Sequence, residues 1–147
     1  MISDEIIISN SPEETFEKGK KFAEVLRRNS VTGFFGNLGT GKTQFIKGIC
    51  DFFNVKEAVN SPTFIIVNEY TGFSDLENAG SKIFHFDFYR LKNLTELKNI
   101  GFENYISQDA ICLIEWGELA DEYLSGKLDK IYFEHGKKEN ERIIKFN

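Results

Sequence analysis

The sequence predicts an α/β fold of three layers, a central mixed β-sheet flanked by helices. Three observations lead there. Short, β-prone apolar runs alternate with segments of helical period along the chain. A glycine-rich turn, Gly36 to Thr43, joins one such run directly to a helical segment. The run Ala110-Ile111-Cys112-Leu113-Ile114 is apolar throughout, as expected of a strand buried on both faces in the middle of a sheet.

The elements follow in order. Ile6, Ile7 and Ile8 form a first strand. Ser11-Pro12-Glu13-Glu14 starts a helix, with Ser11 as N-cap, Pro12 at the first helical position and Glu14 closing a capping box. Phe16, Phe22, Ala23 and Leu26 mark its buried face, and the helix is expected to end near Arg28. Val31-Thr32-Gly33-Phe34-Phe35 is a short buried strand. Beyond Lys42, the residues Phe45, Ile46, Ile49, Phe52 and Phe53 fall at helical spacing. Residues 59–63 read as a loop and 64–70 as a strand. Residues 71–81 hold two glycines, two acids and an asparagine, and read as a turn or loop. Residues 82–89 return as a strand, so the two strands should form an antiparallel hairpin. Leu91, Leu94, Leu97 and Ile100 space a short helix that Gly101 stops. After the strand at 110–114, residues 130–135 and 142–146 make a last hairpin around Gly136-Lys137-Lys138. No repeat, linker or low-complexity tract interrupts this pattern, so one domain is expected over residues 1–147.

Composition narrows the function. The 147 residues are 14% aromatic, with 15 phenylalanines, which argues for a well-filled core and against disorder. The net charge is −5 and no long basic run occurs. Such a chain is a poor direct binder of nucleic acid, because contacts to phosphates supply most of that affinity. Cys50 and Cys112 lie in apolar segments and are expected as small core residues, not as a disulfide or metal pair. No apolar run approaches the roughly 20 residues of a membrane span. No basic n-region with a following apolar stretch opens the chain at Met1. A cytoplasmic protein is the expectation.

Gly36-Asn37-Leu38-Gly39-Thr40-Gly41-Lys42-Thr43 fits the pattern G-x-x-x-x-G-K-[ST]. The glycines let backbone N–H groups converge on phosphate oxygens. Lys42 supplies a point charge for the β- and γ-phosphates, and the Thr43 hydroxyl can ligate Mg²⁺. The following helix adds the positive end of its dipole. A glycine-rich turn without a ligand is the plainer alternative, and the preceding strand and following helix together argue against it. The expectation is therefore a three-layer P-loop NTPase fold that binds the phosphates of a nucleotide with Mg²⁺.

Hydrolysis needs an acid near the metal and a group that orients water. Two apolar strands end in carboxylates: residues 83–86 in Asp87, and residues 111–114 in Glu115. A single such acid is as readily a solvent-facing strand end, but two in one P-loop protein favour a metal and water pair. Thr63, on a loop stiffened by Pro62, can present its hydroxyl to a γ-phosphate or be an ordinary turn residue. His85 alternates with apolar neighbours and reads as a hydrogen-bonded histidine beside the core. Trp116 is a core anchor or an interface residue.

Gly36 to Thr43, Ser61-Pro62-Thr63-Phe64, His85-Phe86-Asp87-Phe88-Tyr89-Arg90-Leu91 and Ile114-Glu115-Trp116 stand in the order and spacing of the TsaE (YjeE) family, which the chain resembles over nearly its whole length. The resemblance implies a small ATPase that works with TsaB and TsaD to install threonylcarbamoyl on adenosine 37 of tRNAs reading ANN codons. It also implies Mg²⁺ ligation by Thr43 and Glu115, with Asp87 as a functional carboxylate near the γ-phosphate. Asn37 replaces the family's usual aspartate, Gln44 replaces its usual threonine, and the 71–81 segment is long for the family.

Other classes fit less well. A small-molecule P-loop kinase needs clustered arginines, and Arg27, Arg28, Arg90 and Arg142 form no lid-like group. A GTPase switch lacks its N-K-x-D and D-x-x-G motifs. A nucleotide-gated binding module with negligible turnover remains compatible, because no arginine finger is evident.

Overall fold

A computed structural model describes residues 4–147, and the reading of the Met1 end lies outside them. In chain order the elements are β1 (Glu5–Ser9), α1 (Pro12–Phe22), a 3-10 turn (Ala23–Val25), β2 (Ser30–Phe35), α2 (Lys42–Phe52), β3 (Val67–Ser74) and β4 (Ala79–Asp87). There follow α3 (Leu94–Asn99), α4 (Phe102–Ile106), β5 (Ala110–Glu115), α5 (Glu118–Tyr123), β6 (Asp129–His135) and β7 (Arg142–Phe146). Among the described residues the strands form one sheet in the order β1-β7-β6-β2-β5-β4-β3. β6, β2, β5 and β4 are parallel; β3 joins β4 antiparallel, and β7 is antiparallel to both β6 and β1. The mixed central sheet is the one expected.

Alternation along the strands makes the three layers. On β5, Ile111 and Leu113 pack with Phe34, Phe45, Ile46 and Ile49 on the side of α1 and α2. Ala110, Cys112 and Ile114 pack with Phe84, Phe86, Leu97, Phe102 and Ala120 on the side of α3, α4 and α5. Every residue of β5 is buried, as its apolar run requires. Both cysteines lie in these cores as free thiols, and burial pushes each up to about 12. Gly48 of α2 lies against α1 so closely that a β-carbon would overlap the Phe16 carbonyl oxygen. The two helices touch backbone to backbone, which fixes the depth of α2 against the sheet.

Several boundaries differ from the sequence reading. The first helix ends at Phe22, not near Arg28. The last turn tightens to 3-10, and Leu26 is already extended. Residues 64–66 are not strand. The Ile66 N–H closes a turn on the Pro62 carbonyl at 2.6 Å, which leaves Phe64 82% and Ile65 65% exposed. The strand instead runs on through residues 71–74, which read as loop. Its ladder extends from Val67↔Phe86 to Ser74↔Ala79, and only four residues make the turn. β4 ends at Asp87, not at Tyr89, because the Asp87 carboxylate accepts the Tyr89 N–H at 2.9 Å and turns the chain. The third helix starts at Leu94 behind an Asn93 cap, so Leu91 lies outside it. α4 and α5 are too short to leave a periodic signature.

Candidate functional site

The carboxyl ends of β4 and β5 and the amino end of α2 open on one cleft of about 480 Å³. The P-loop forms its floor. Gly36 leaves β2 with φ +146, where a β-carbon would overlap the Phe133 carbonyl oxygen. The Thr40 hydroxyl ties the loop to itself by donating to the Asn37 carbonyl at 2.6 Å. Gly41, with φ +100, turns the chain into α2 at Lys42.

Lys42 is only 5% exposed. Its Nζ donates to the Gly36 carbonyl and, at 3.1 Å, to the Asn37 carbonyl, and it lies 4.1 Å from the centre of the Trp116 ring. Burial holds this ammonium below its ordinary value, against the opposing pull of Glu115, Glu118 and Asp87. A desolvated cation at a helix amino terminus is chemically suited to an anionic oxygen. Gly36 and Asn37 themselves do not line the cleft; they serve it through their carbonyls.

The two strand-end acids are both buried and differently held. Glu115 Oε1 accepts the Thr43 hydroxyl at 2.8 Å, and Oε2 accepts His85 Nε2 at 2.7 Å. Asp87 Oδ2 accepts the hydroxyls of Ser61 and, at 2.9 Å, Thr63. The fold thus brings Lys42, Thr43, Thr63, Asp87 and Glu115 to one cleft from four separate segments of sequence.

The donor set fits a hard divalent cation. Among the described residues no three His, Cys, Asp or Glu side chains cluster as a complete metal cage. The Thr43 hydroxyl and the Glu115 carboxylate are two oxygen donors in contact. Mg²⁺ takes one or two protein oxygens of this kind and completes its shell with water and phosphate oxygens.

Trp116 is neither a simple core anchor nor free. Its backbone N–H bonds to the Phe34 carbonyl at 3.1 Å and its φ is +56, a costly conformation for a bulky residue. That conformation lays the indole over Lys42 and beside the Tyr89 ring, 4.9 Å between centroids. The sequence reading missed four other parts of the cleft wall: Ser61, Tyr89, the start of α1 at Ser11 and Pro12, and Asn140 with Arg142. Ser61 and Tyr89 had a signal, since each lies two residues from Thr63 or Asp87. The start of α1 and the β6–β7 turn had none, because only the fold brings them to the P-loop.

Comparison with known proteins agrees with this geometry. Residues 9–144 match the family described as threonylcarbamoyl adenosine biosynthesis protein TsaE. The chain belongs to the TsaE family. It is 40% identical over 105 residues to the tRNA threonylcarbamoyladenosine biosynthesis protein TsaE of Haemophilus influenzae, covering 68% of this chain and 63% of that protein. It is 34% identical over 114 residues to the protein of the same name from Bacillus subtilis, covering 78% and 67%. The aligned part is thus about two thirds of each relative's own length. The crystal structure of Bacillus subtilis YdiB superposes with a TM-score of 0.76 at 28% identity, over 99% of this chain and 86% of that one.

The three departures from the TsaE pattern find places in the fold. Asn37 is exposed, and its contribution to Lys42 comes from the backbone, so a change of side chain leaves that support intact. Gln44 lines the cleft one residue past Thr43. The 71–81 segment is the far end of the β3–β4 hairpin, away from the cleft.

Proposed function

We propose that this TsaE-family chain is a Mg²⁺-dependent ATPase. In this reading it acts with the TsaB–TsaD complex in forming threonylcarbamoyladenosine at position 37 of tRNAs reading ANN codons. The observation that carries the reading is the contact between Thr43 and Glu115 at the head of α2, with Asp87 beside it. A P-loop hydroxyl and a strand-end carboxylate in contact are the protein half of a magnesium–nucleotide site. The names of the relatives support the tRNA pathway.

The residues divide the work. Backbone N–H groups of residues 39–43 would meet the phosphates, and Lys42 would neutralise the β- and γ-oxygens. Thr43 and Glu115 would hold Mg²⁺, which when bound spreads the charge of the phosphate oxygens. Asp87 would accept a hydrogen bond from the attacking water and fix its line of approach. Thr63 shares Asp87 and so would sense whether the γ-phosphate is present. Phosphoryl transfer to a small molecule is disfavoured by the arginines. Arg90 stacks over Phe64 at 5.1 Å, and Arg142 is held by the Glu139 and Glu141 carbonyls. Arg142 lines the cleft, but among the described residues neither arginine pairs with Asp87 or Glu115, so turnover by the chain alone should be slow. A cytoplasmic location belongs to the same proposal; among the described residues no helix is long and apolar enough to cross a membrane.

Phosphate release from ATP, measured with and without TsaB–TsaD and with Mg²⁺ or EDTA, tests this. Magnesium-dependent release that rises with the partners is the expected result. Absence of both ATP binding and release in all conditions would refute it.

A further inference from the structure

One chain of hydrogen bonds, buried at His85 and Tyr70, joins the two acids by a route the scheme above does not use. His85 lies on β4 and is fully buried. Its Nε2 is 2.7 Å from Glu115 Oε2, and its Nδ1 is 3.0 Å from the Tyr70 hydroxyl on β3. Asn68 Nδ2 donates to that hydroxyl at 3.4 Å and to the Asn60 carbonyl at 3.3 Å. Asn60 precedes Ser61, which bonds to Asp87. The chain therefore runs from one strand-end acid, through two strands, to the loop that holds the other.

Direction follows from donor inventory. An ionised carboxylate only accepts, so His85 Nε2 carries the hydrogen toward Glu115. In the neutral ring Nδ1 is then the acceptor, and the Tyr70 hydroxyl donates to it. Burial pushes that hydroxyl up to about 12, so it keeps its proton at neutral pH. Glu115 thus sets the hydrogen on Nε2, Tyr70 holds the ring from its other nitrogen, and His85 fixes the carboxylate of Glu115 with Oε1 toward Thr43.

We propose that His85, backed by Tyr70, is a positioning residue that presents Glu115 to Mg²⁺. The geometry that points to it is the occupation of Oε2 by a buried imidazole while Oε1 faces Thr43. A carboxylate free to rotate would offer either oxygen; this one offers a single oxygen in a fixed direction. Partners that orient metal ligands in this way contribute a roughly 10–100-fold effect on metal affinity. The inference rests on the reading of the cleft as a magnesium–nucleotide site.

Binding of a fluorescent ATP analogue, titrated in Mg²⁺ and in EDTA, tests it without recourse to turnover. The readout is the ratio of the two dissociation constants. His85→Leu should lower the tightening by Mg²⁺ roughly 10-fold and leave the affinity in EDTA unchanged. Tyr70→Phe, which removes one oxygen atom and is expected to fold, should lower it less. His85→Gln returns an N–H at similar reach and should restore part of the effect. Wild-type tightening in both His85→Leu and Tyr70→Phe would overturn the inference. So would equal losses in Mg²⁺ and EDTA, which would make the network merely structural. A wild-type protein that binds no nucleotide, or binds it equally with and without Mg²⁺, would instead refute the reading of the site itself, and the inference with it.

Discussion

Asp87 and Glu115 are register partners at the carboxyl ends of the adjacent parallel strands β4 and β5. Side chains alternate along a strand, and Ile83, Ile111 and Leu113 of the same parity pack against α1 and α2. Both acids therefore open on the face where α2 begins. Their hydrogen bonds then separate them: Glu115 is tied to α2 by Thr43, and Asp87 to the 61–66 loop by Ser61 and Thr63.

That separation predicts two different losses. Glu115→Ala should lose the Mg²⁺-dependent part of ATP affinity. Asp87→Asn should bind ATP with Mg²⁺ nearly as before and lose turnover by a factor of about 10²–10⁴, the usual range for a group that handles protons. Equilibrium binding and single-turnover phosphate release distinguish them. Indistinguishable behaviour of the two variants would rule out the split.

Lys42 carries a pH signature. Burial holds it below its ordinary 10.5, so the folded state releases the proton before the unfolded chain does. The charged lysine therefore costs stability at neutral pH, and that cost is relieved as pH rises from the lowered value toward 10.5. The difference in denaturant stability between wild type and Lys42→Met should show this rise in the alkaline window. In the proposed function ATP would bind the charged form, so its Mg²⁺-free affinity should fall as pH passes the lowered value. Lys42→Ala should weaken ATP by about 1.5–3 kcal/mol, a roughly 10–100-fold loss. ATP affinity that stays flat up to 10.5 would contradict the desolvated state of the ammonium.

What could be read from the sequence follows from how local each signal is. The P-loop is eight consecutive residues, so its conformation is encoded in place. The start of α1 is equally local: Ser11 accepts the Glu14 N–H at 3.1 Å, although Glu14 returns its bond to Asn10, not Ser11. Phe64 and Ile65 misled because apolar composition does not distinguish a buried strand from an exposed turn. That choice was made by the Pro62–Ile66 turn and by Asp87 holding Ser61 and Thr63. His85 could be read as hydrogen-bonded, but its partners come from β3 and β5, and strand order is not a local property.

The contact between α1 and α2 predicts a stability change remote from the cleft. Gly48→Ala places a methyl against the Phe16 backbone, which cannot move as a side chain could. It should destabilise by about 1–3 kcal/mol or more, as overpacking does. Chemical denaturation gives the value. A change within about 0.5 kcal/mol, the range of ordinary surface substitutions, would show that the helices separate easily.

Partner dependence is the last prediction, and it concerns the mouth of the cleft. Tyr89 is exposed on its wall, and Phe64 and Ile65 are exposed on the loop that follows Thr63, with Arg90 stacked on Phe64. Thr63 and Ser61 hold this loop to Asp87, and Lys42 holds Trp116. A triphosphate that draws on Lys42 and Asp87 would change both restraints, so nucleotide state would bias the surface a partner meets. TsaB–TsaD should therefore co-elute with the chain in ATP and less in ADP or without nucleotide. Thr63→Val together with Ser61→Ala should blunt that difference and leave the P-loop contacts in place. Free tRNA should bind weakly, since the net charge is −5. Equal co-elution in all three nucleotide states would remove the switch. Tight, salt-sensitive binding of tRNA by the chain alone would move RNA contact from the partners to this protein.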